Sequence, residues 1–183
     1  SETNIKEYID KTDYTHPYLK LSKTHQKIAI IGPPGSGKSY QLKLVTQELK
    51  RLCKKYDILT PSGISAKNVD GQTIESKIGF RKSKSYSINI MKSVDFVLID
   101  EFSMISQERF NIFYDIYLTL NRHTRFIFFG DPSQLIHPDN GHSILLDDFH
   151  KEYLHKIWRQ KDVEFIEHIK NVLNTGVYKG NNN

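Results

Sequence analysis

The sequence predicts an α/β fold, a three-layer sandwich in which helices cover both faces of a central, mainly parallel β-sheet. Apolar runs of strand length alternate along the chain with amphipathic helical patterns, which is typical of parallel sheets. Three of these runs end in polar or glycine-rich clusters, at Gly32, Asp100 and Gly130. Because the carboxyl ends of parallel strands meet at one edge of a sheet, we expect these clusters to face a single crevice. With 183 residues, the chain suits one domain.

The first cluster, Gly-Pro-Pro-Gly-Ser-Gly-Lys-Ser at 32–39, follows an apolar run at 27–31. It fits the phosphate-binding loop pattern G-x-x-x-x-G-K-[ST] at every fixed position. Glycines allow backbone N–H groups to approach an anion, and the helix predicted from residue 38 adds the positive end of its dipole. In this pattern Lys38 reaches the β- and γ-phosphates and the Ser39 hydroxyl ligates Mg²⁺, so the segment predicts binding of a nucleoside triphosphate. The residues expected to contact the nucleotide are Gly32, Pro33, Pro34, Gly35, Ser36, Gly37, Lys38 and Ser39.

The second cluster is a pair of carboxylates, Asp100 and Glu101, at the end of the apolar strand predicted over 95–101. One carboxylate suffices to hold the Mg²⁺ shell, and the other can orient and deprotonate an attacking water. Two acids at a buried strand end are costly unless a cation compensates them. The pair therefore predicts hydrolysis of the bound nucleotide.

The third cluster, Gly130-Asp131-Pro132-Ser133-Gln134, closes a strand predicted over 125–129. We expect Gln134 to hydrogen-bond the γ-phosphate and the water, although Gly-Asp-Pro-Ser alone would indicate only a turn. Gln26 precedes the first strand, and its amide matches the N6 and N7 edge of adenine. We expect it to contact the base, with a solvated polar residue as the alternative interpretation.

Other parts of the chain carry weaker patterns. A strand is predicted over 56–60, and amphipathic helices over 106–120 and 162–174. Residues 1–20 read as a short leading helix and a turn-rich connector around His16 and Pro17.

The net charge and the basic segments of the chain indicate which kind of partner it could bind. The net charge of +5 and a pI near 9.1 fit a polyanionic partner without establishing one. Three cations, Arg81, Lys82 and Lys84, lie between two aromatic residues, a mixture that suits single-stranded nucleic acid. A solvated basic loop is the alternative. The hydroxyl-rich segment over 64–76 could likewise hold phosphates or form an irregular surface connection.

Several classes of protein are not indicated. No apolar run approaches the roughly 20 residues of a membrane span, and the polar first residues do not resemble a secretory signal. The single cysteine, Cys53, excludes an intramolecular disulfide and indicates a reducing compartment. His137 and His142 lack a third ligand for zinc. We therefore expect an intracellular protein, cytoplasmic or nuclear, without a membrane partner.

The ordered motifs together resemble a superfamily 1 helicase. They are Gln26, GPPGSGKS, TPSGISA, TIES, DEFSM, GDPSQL and WRQ, in that order. Their spacing is similar to the N-terminal RecA-like motor domain 1A of the RecD/Dda-like, 5′-to-3′ branch. The resemblance implies a RecA-like P-loop NTPase fold over 21–175. It also implies that 176–183 is a truncated linker toward an absent second motor domain.

The resemblance assigns roles by position. It implies that ATP and Mg²⁺ are the cofactors, that Gln26 contacts adenine, and that Ser39 and Asp100 hold the metal. The catalytic residues that it implies are Lys38, Glu101, Gln134 and Arg159. Of these, Arg159 would stabilise charge in the transition state. The residues implied to contact a nucleic-acid backbone are Thr60, Ser62, Ala66 and Thr73. Members usually have His where Glu75 stands, and a carboxylate there would repel phosphate.

The resemblance also implies partners: single-stranded nucleic acid, with DNA favoured over RNA, and the second RecA-like domain of the same protein. In such motors ATP lies between the two domains, and the missing arginine is worth about 10³–10⁵ in rate. The chain alone is thus expected to bind ATP and to hydrolyse it poorly.

Three other functions remain open from the sequence. A stand-alone oligomeric ATPase resembling PhoH would build the missing half of the site from a neighbouring subunit. A small-molecule P-loop kinase is less favoured, because it needs lid arginines and an acceptor site. A non-catalytic binding module is disfavoured by the intact Lys38, Ser39, Asp100 and Glu101.

Overall fold

A computed structural model describes residues 9–61, 71–78, 92–134, 144, 146–154, 164, 167–168 and 170–171, with only the backbone at 75, 78 and 134. The strands are β1 (Lys27–Ile31), β2 (Tyr56–Thr60), β3 (Gln72–Thr73), β4 (Phe96–Asp100), β5 (Arg125–Gly130) and β6 (His150–Tyr153). The helices are α1 (Pro17–Leu21), α2 (Lys38–Arg51), α3 (Ile74–Ile78) and α4 (Gln107–Leu120). Short 3₁₀ helices follow β4 at Phe102–Met104 and β5 at Pro132–Gln134. None of the described helices is long and apolar enough to cross a membrane.

The six strands form one parallel sheet in the order β3-β2-β4-β5-β1-β6. The central strands β4 and β5 are buried along their whole length. This explains their continuous apolar runs, because both faces of a parallel sheet are covered. The predicted α/β sandwich with a mainly parallel sheet is confirmed.

Alternate residues of the central strands pack into two separate cores. Val97 and Ile99 contact the apolar face of α4, whereas Phe96 and Leu98 belong to the cluster that α1 and α2 cover. Helix α4 begins as its sequence predicts, because the Ser106 hydroxyl accepts a hydrogen bond from the Arg109 N–H at 3.3 Å. The sheet is therefore the middle of three layers.

The structure differs from the predicted connector near the N-terminus. His16 and Pro17 begin helix α1, with Pro17 in its first turn and the His16 Nδ1 accepting a hydrogen bond from the Tyr18 N–H. Tyr14, Tyr18 and Leu19 are buried in the core that α2 covers. Proline in a first helical turn is a recognised start signal, so the sequence contained a clue to this helix.

The segment before α1 is attached to the sheet by a buried ion pair. The Asp10 carboxylate accepts hydrogen bonds from the Arg125 guanidinium at the start of β5 and from the Tyr14 hydroxyl, the latter at 2.7 Å. The backbone N–H groups of Thr15 and His16 donate to the Glu48 carboxylate of α2. Residues 10–19 are thus an integral part of the domain.

Two short edge strands were not predicted. β3 and α3 lie in the segment that the sequence indicates only as a hydroxyl-rich connection, and β6 consists of His-Lys-Glu-Tyr. Neither strand has the alternation or the apolar run of a buried strand. Both are formed by pairing with a neighbour, β3 with β2 and β6 with β1.

Candidate nucleotide-binding site

The phosphate-binding loop joins β1 to α2 at the carboxyl edge of the sheet. Gly35 and Gly37 have positive φ angles of 77° and 96°, which residues with a side chain rarely adopt. Gly37 is the N-cap of α2. Because glycine has no side chain to cap the helix, the first N–H groups of α2 are left for another acceptor. A Cβ at Gly32 would lie 2.4 Å from the Ser36 hydroxyl oxygen, so the loop has room for glycine alone there. The loop has the form of an anion cradle.

A buried cation and a buried hydroxyl lie within this loop. Lys38 is only 8% exposed, and its ammonium donates to the carbonyl oxygens of Gly32 and of Pro33, the latter at 3.0 Å. Ser36 Oγ is buried and has no hydrogen-bond partner. Buried polar groups in proteins normally have partners, so an orphan hydroxyl beside a lysine is consistent with a site for an anionic ligand. Ser39, in the first turn of α2, is exposed.

The two acids lie at the end of β4. Asp100 is its last residue and is 8% exposed. Glu101 follows in the left-handed region with φ 62° and ψ 58°, a conformation that costs a residue with a side chain about 1–2 kcal/mol. Strained backbone of this kind is concentrated at functional sites. The local conformation therefore marks Glu101 independently of its sequence motif.

Electrostatics connects the acids to the loop. Burial, and secondly the charge of Glu101, raise the pKa of Asp100 to about 6, while the nearby Lys38 ammonium acts in the opposite direction. The strand registers agree with this proximity, because Ile31 pairs with Gly130 and Asp100 pairs with Phe129 of the same strand β5.

The donor set of this crevice fits Mg²⁺. The described residues contain no group of three or more His, Cys, Asp or Glu side chains that could hold a metal ion. Mg²⁺ is commonly bound by one or two carboxylates together with water and nucleotide phosphates. Burial is the main cause of the raised pKa of Asp100, and a divalent cation beside this buried carboxylate would stabilise its charged form.

The turn after β5 lies beside the acids. Gly130 contacts the ring of Phe102, and the 3₁₀ helix that contains Gln134 contacts the 3₁₀ helix that follows Glu101. Asp131 is buried and accepts hydrogen bonds from the Ser133 N–H at 3.0 Å and hydroxyl at 2.7 Å. The backbone of Gln134 thus lies next to the acidic turn, and its contact with the γ-phosphate stays a prediction.

Gln26 does not support its expected contact with adenine. It precedes β1, whereas the phosphate-binding loop follows β1, so about 17 Å of strand separates the two. Its amide instead donates to the carbonyl oxygens of Arg122 and Thr124, at 2.9 and 3.0 Å. The short sequence distance to Lys38 was misleading because residues 27–31, which lie between them, form an extended strand. This prediction is corrected: Gln26 joins β1 to the turn before β5.

The residues expected to contact nucleic acid are only partly described. Thr60 and Thr73 are register partners at the carboxyl ends of β2 and β3. The side chain of Thr60 is fully buried, which does not support direct contact with a strand, and the Thr73 hydroxyl accepts the Ser76 N–H at 3.0 Å. Other predicted site residues lie outside the described residues: Ser62, Ala66, Arg81, Lys82, Lys84 and Arg159.

Two features of the site were missed from the sequence. Ser103, within the DEFSM motif, has a buried hydroxyl with no hydrogen-bond partner beside the acidic turn. The Tyr40 hydroxyl, in the first turn of α2, donates to Glu167 at 2.9 Å. Ser103 belongs to a motif that the sequence already singles out, so its motif was a signal for a role at the site. The second joins residues 127 positions apart, and no local pattern indicates it.

Comparison with solved structures identifies the fold. Bacteroides Pif1 bound to ssDNA matches with a TM-score of 0.63 and 23% identity over 87% of this chain. Pif1 helicase from Candida albicans matches with a TM-score of 0.65 and 20% identity over 88% of this chain. Bacteroides sp Pif1 in complex with ADP-AlF4 matches with a TM-score of 0.62 and 23% identity over 88% of this chain. The matched regions cover 45%, 44% and 46% of those chains, so this chain spans slightly less than half their length. At such identities the likeness shows a shared fold.

Sequence comparison identifies the family. No curated protein sequence matches the chain. A sequence profile of the AAA domain family matches residues 19–179, which include the phosphate-binding loop, both acids and the turn after β5. The chain therefore belongs to the AAA domain family, and it has the fold of the Pif1 helicases of the RecD/Dda-like branch that its ordered motifs predict.

Proposed function

We propose that this chain is the ATP-binding and hydrolysing motor domain of a superfamily 1 nucleic-acid helicase. The observation that carries the proposal is that the buried Lys38 acts electrostatically on the buried Asp100, at the edge of the sheet where β1 and β4 both end. A cation in an anion cradle opposite two carboxylates is the arrangement needed to bind Mg-ATP and to activate water. The domain would extend over 21–175, with residues 10–20 attached to it.

The chemistry assigns a task to each side chain. Lys38 exchanges the carbonyl oxygens of Gly32 and Pro33 for phosphate oxygens, with which it forms stronger, charge-assisted hydrogen bonds. Ser39 and Asp100 would hold Mg²⁺, which when bound neutralises charge on the phosphates. Glu101 orients the attacking water and accepts its proton. Gln134 would contact the γ-phosphate, and Arg159 would stabilise charge in the transition state.

Coupling to nucleic acid is the further part of the proposal. Solved Pif1 structures of the same fold contain ssDNA, and one contains ADP-AlF4. This favours ATP as the nucleotide, and it favours single-stranded DNA over RNA as the strand along which the motor would move. Because the chain spans less than half of those proteins, translocation and unwinding would require the second RecA-like domain. Such a motor would act inside the cell.

The test separates hydrolysis from binding. Glu101→Gln should lower single-turnover ATP hydrolysis about 10²–10⁴-fold, because it removes the general base. The affinity for ATP, measured by calorimetric titration, should change by no more than a few-fold. Single-turnover conditions with protein in excess detect slow hydrolysis by the chain alone, and the assay is run with and without single-stranded DNA and RNA.

Glu108→Gln is the matched control, since Glu108 is an exposed glutamate in the first turn of α4. This substitution should leave both the rate of single-turnover hydrolysis and the affinity for ATP unchanged. Hydrolysis by Glu101→Gln at the parent rate would contradict the proposed base. Absence of ATP binding by the parent chain would contradict the proposed function as a whole.

A further inference from the structure

A cavity of about 550 Å³ opens at the amino edge of the sheet, beside the starts of β2 and β4. Four of the eight residues that line it are lysines, which come from the turn after α2, from α3 and from the segment before β4. We refer to it as the lysine cavity; its lysines are Lys54, Lys55, Lys77 and Lys92. Three separate parts of the chain thus place cations around one space.

The lining carboxylate does not neutralise these lysines. Asp57 is the one acid among the described residues that line the lysine cavity. Its Oδ2 accepts a hydrogen bond from the Tyr117 hydroxyl at 2.7 Å, and its Oδ1 lies 3.4 Å from the Lys77 ammonium. Asp57 is therefore matched by Lys77, and the other three lysines have no acid partner among the residues that line the cavity.

Acids next to the cavity compensate this excess only weakly. The Asp10 carboxylate lies 3.9 Å from the Lys54 ammonium, but it is already paired with the Arg125 guanidinium. Asp95 accepts a hydrogen bond from the backbone N–H of Lys55, at 3.0 Å. Lysines from three parts of the chain around one space give it a positive potential, which would favour an anion within it.

The lysine cavity is remote from the proposed ATP site. It lies where β2 and β4 begin, whereas the phosphate-binding loop and the acids lie where strands end. A strand of five residues spans about 17 Å. A ligand in the lysine cavity would therefore leave the nucleotide crevice open, and substitutions there should not disturb it.

We propose that the lysine cavity binds the phosphate backbone of a nucleic-acid strand, at a second contact separate from the nucleotide crevice. Lysine binds phosphate as a point charge and requires no fixed geometry, so such a site would hold any sequence. Neutralising phosphates with lysines releases condensed counterions, which is the main source of sequence-independent affinity. The lining suits backbone phosphates, since four of its eight residues are lysines and only one is an acid. The site extends beyond the proposed motor activity and does not depend on it.

The test uses the 183-residue chain and a triple variant, Lys54→Gln, Lys55→Gln and Lys92→Gln. Lys77 is kept so that Asp57 retains its partner. Affinity for a fluorescent oligothymidylate is measured by anisotropy over a range of salt concentrations. Single strands lose about 0.7 in the slope of log affinity against log salt for each phosphate contact removed. We expect the triple variant to bind at least tenfold more weakly at low salt, with a slope shallower by about 2.

The matched control is Lys20→Gln, Lys43→Gln and Lys170→Gln, which removes the same charge from exposed lysines outside the cavity. It should retain most of the affinity and nearly all of the slope. Equal losses in the two triple variants would overturn the proposal. Binding of a fluorescent ATP analogue should be unchanged in both variants, which separates this test from that of the motor site. If the cavity triple variant does not fold, Lys92→Gln alone should still reduce the slope by about 0.7, and an unchanged slope would overturn the proposal.

Discussion

The ring of Phe102 packs directly onto the backbone of Gly130, so that a Cβ at position 130 would lie 2.7 Å from the Phe102 Cδ1. Phe102 begins the turn after the acidic pair, and Gly130 ends the strand that leads to Gln134. This contact joins two parts of the candidate site that are far apart in the sequence. Because Phe102 is 1% exposed, its ring has no solvent-filled space into which to move.

Gly130→Ala should therefore destabilise the domain by about 1–3 kcal/mol, the usual cost of adding a methyl group to a packed interior. Urea denaturation measures the change in unfolding free energy. Phe102→Leu should lower stability by itself, but the double variant should lose less than the sum of the two single losses. Strict additivity would contradict the contact.

Lys38→Ala should weaken ATP binding about 10- to 150-fold, since a hydrogen bond to a charged group contributes roughly 1.5–3 kcal/mol. Calorimetric titration with a slowly hydrolysed analogue measures the affinity. Lys43→Ala is the matched control, because Lys43 lies on the exposed face of the same helix. Equal affinity in Lys38→Ala and the parent chain would exclude the phosphate-binding role.

Asp100 should make the stability of the nucleotide-free chain depend on pH. Its pKa is raised to about 6 in the folded chain, so the folded state binds more protons than the unfolded state between about pH 4 and 6. Stability is therefore present at low pH and decreases as the pH rises through 6. Asp100→Asn should raise the unfolding free energy at pH 8, by on the order of 3 kcal/mol at most, and have little effect at pH 4.

Thermal unfolding at the two pH values, without nucleotide or Mg²⁺, measures the effect of Asp100→Asn. The control Asp115→Asn changes an exposed aspartate of α4 and should show no such difference. A loss of stability in Asp100→Asn that is the same at both pH values would contradict the raised pKa.

Asp10→Ala should destabilise the domain by about 3–5 kcal/mol at pH 7, because it leaves Arg125 as a buried charge without this partner. Burial alone would raise the pKa of Asp10, but hydrogen bonds from Thr12, Tyr14 and Arg125 outweigh it and hold the pKa well below its usual range. The stabilisation is thus present above about pH 4 and is lost as the pH falls further.

Asp13→Ala, at an exposed position three residues further on, is the control and should change the unfolding free energy by less than about 0.5 kcal/mol. Urea denaturation at pH 7 compares the two variants. A loss in Asp10→Ala as small as that of the control would show that the N-terminal segment is not anchored by this pair.

The buried strands could be predicted from the sequence because each is a continuous apolar run. The predicted strands at 27–31, 56–60, 95–101 and 125–129 agree with β1, β2, β4 and β5 to within one residue at each end. The edge strands could not be predicted, since their stability comes from pairing with a neighbour rather than from their own pattern.

The amino-acid sequence by itself determined the phosphate-binding loop, the acidic strand end and the parallel sheet that brings them to one edge. These features depend on local backbone conformation and on the side chains of adjacent residues. Only the tertiary structure decided that Gln26 lies at the opposite edge, that Asp10 anchors the N-terminal segment to Arg125, and that a lysine cavity exists. These depend on contacts between residues that strand order brings together, and no local pattern in the chain encodes such distances.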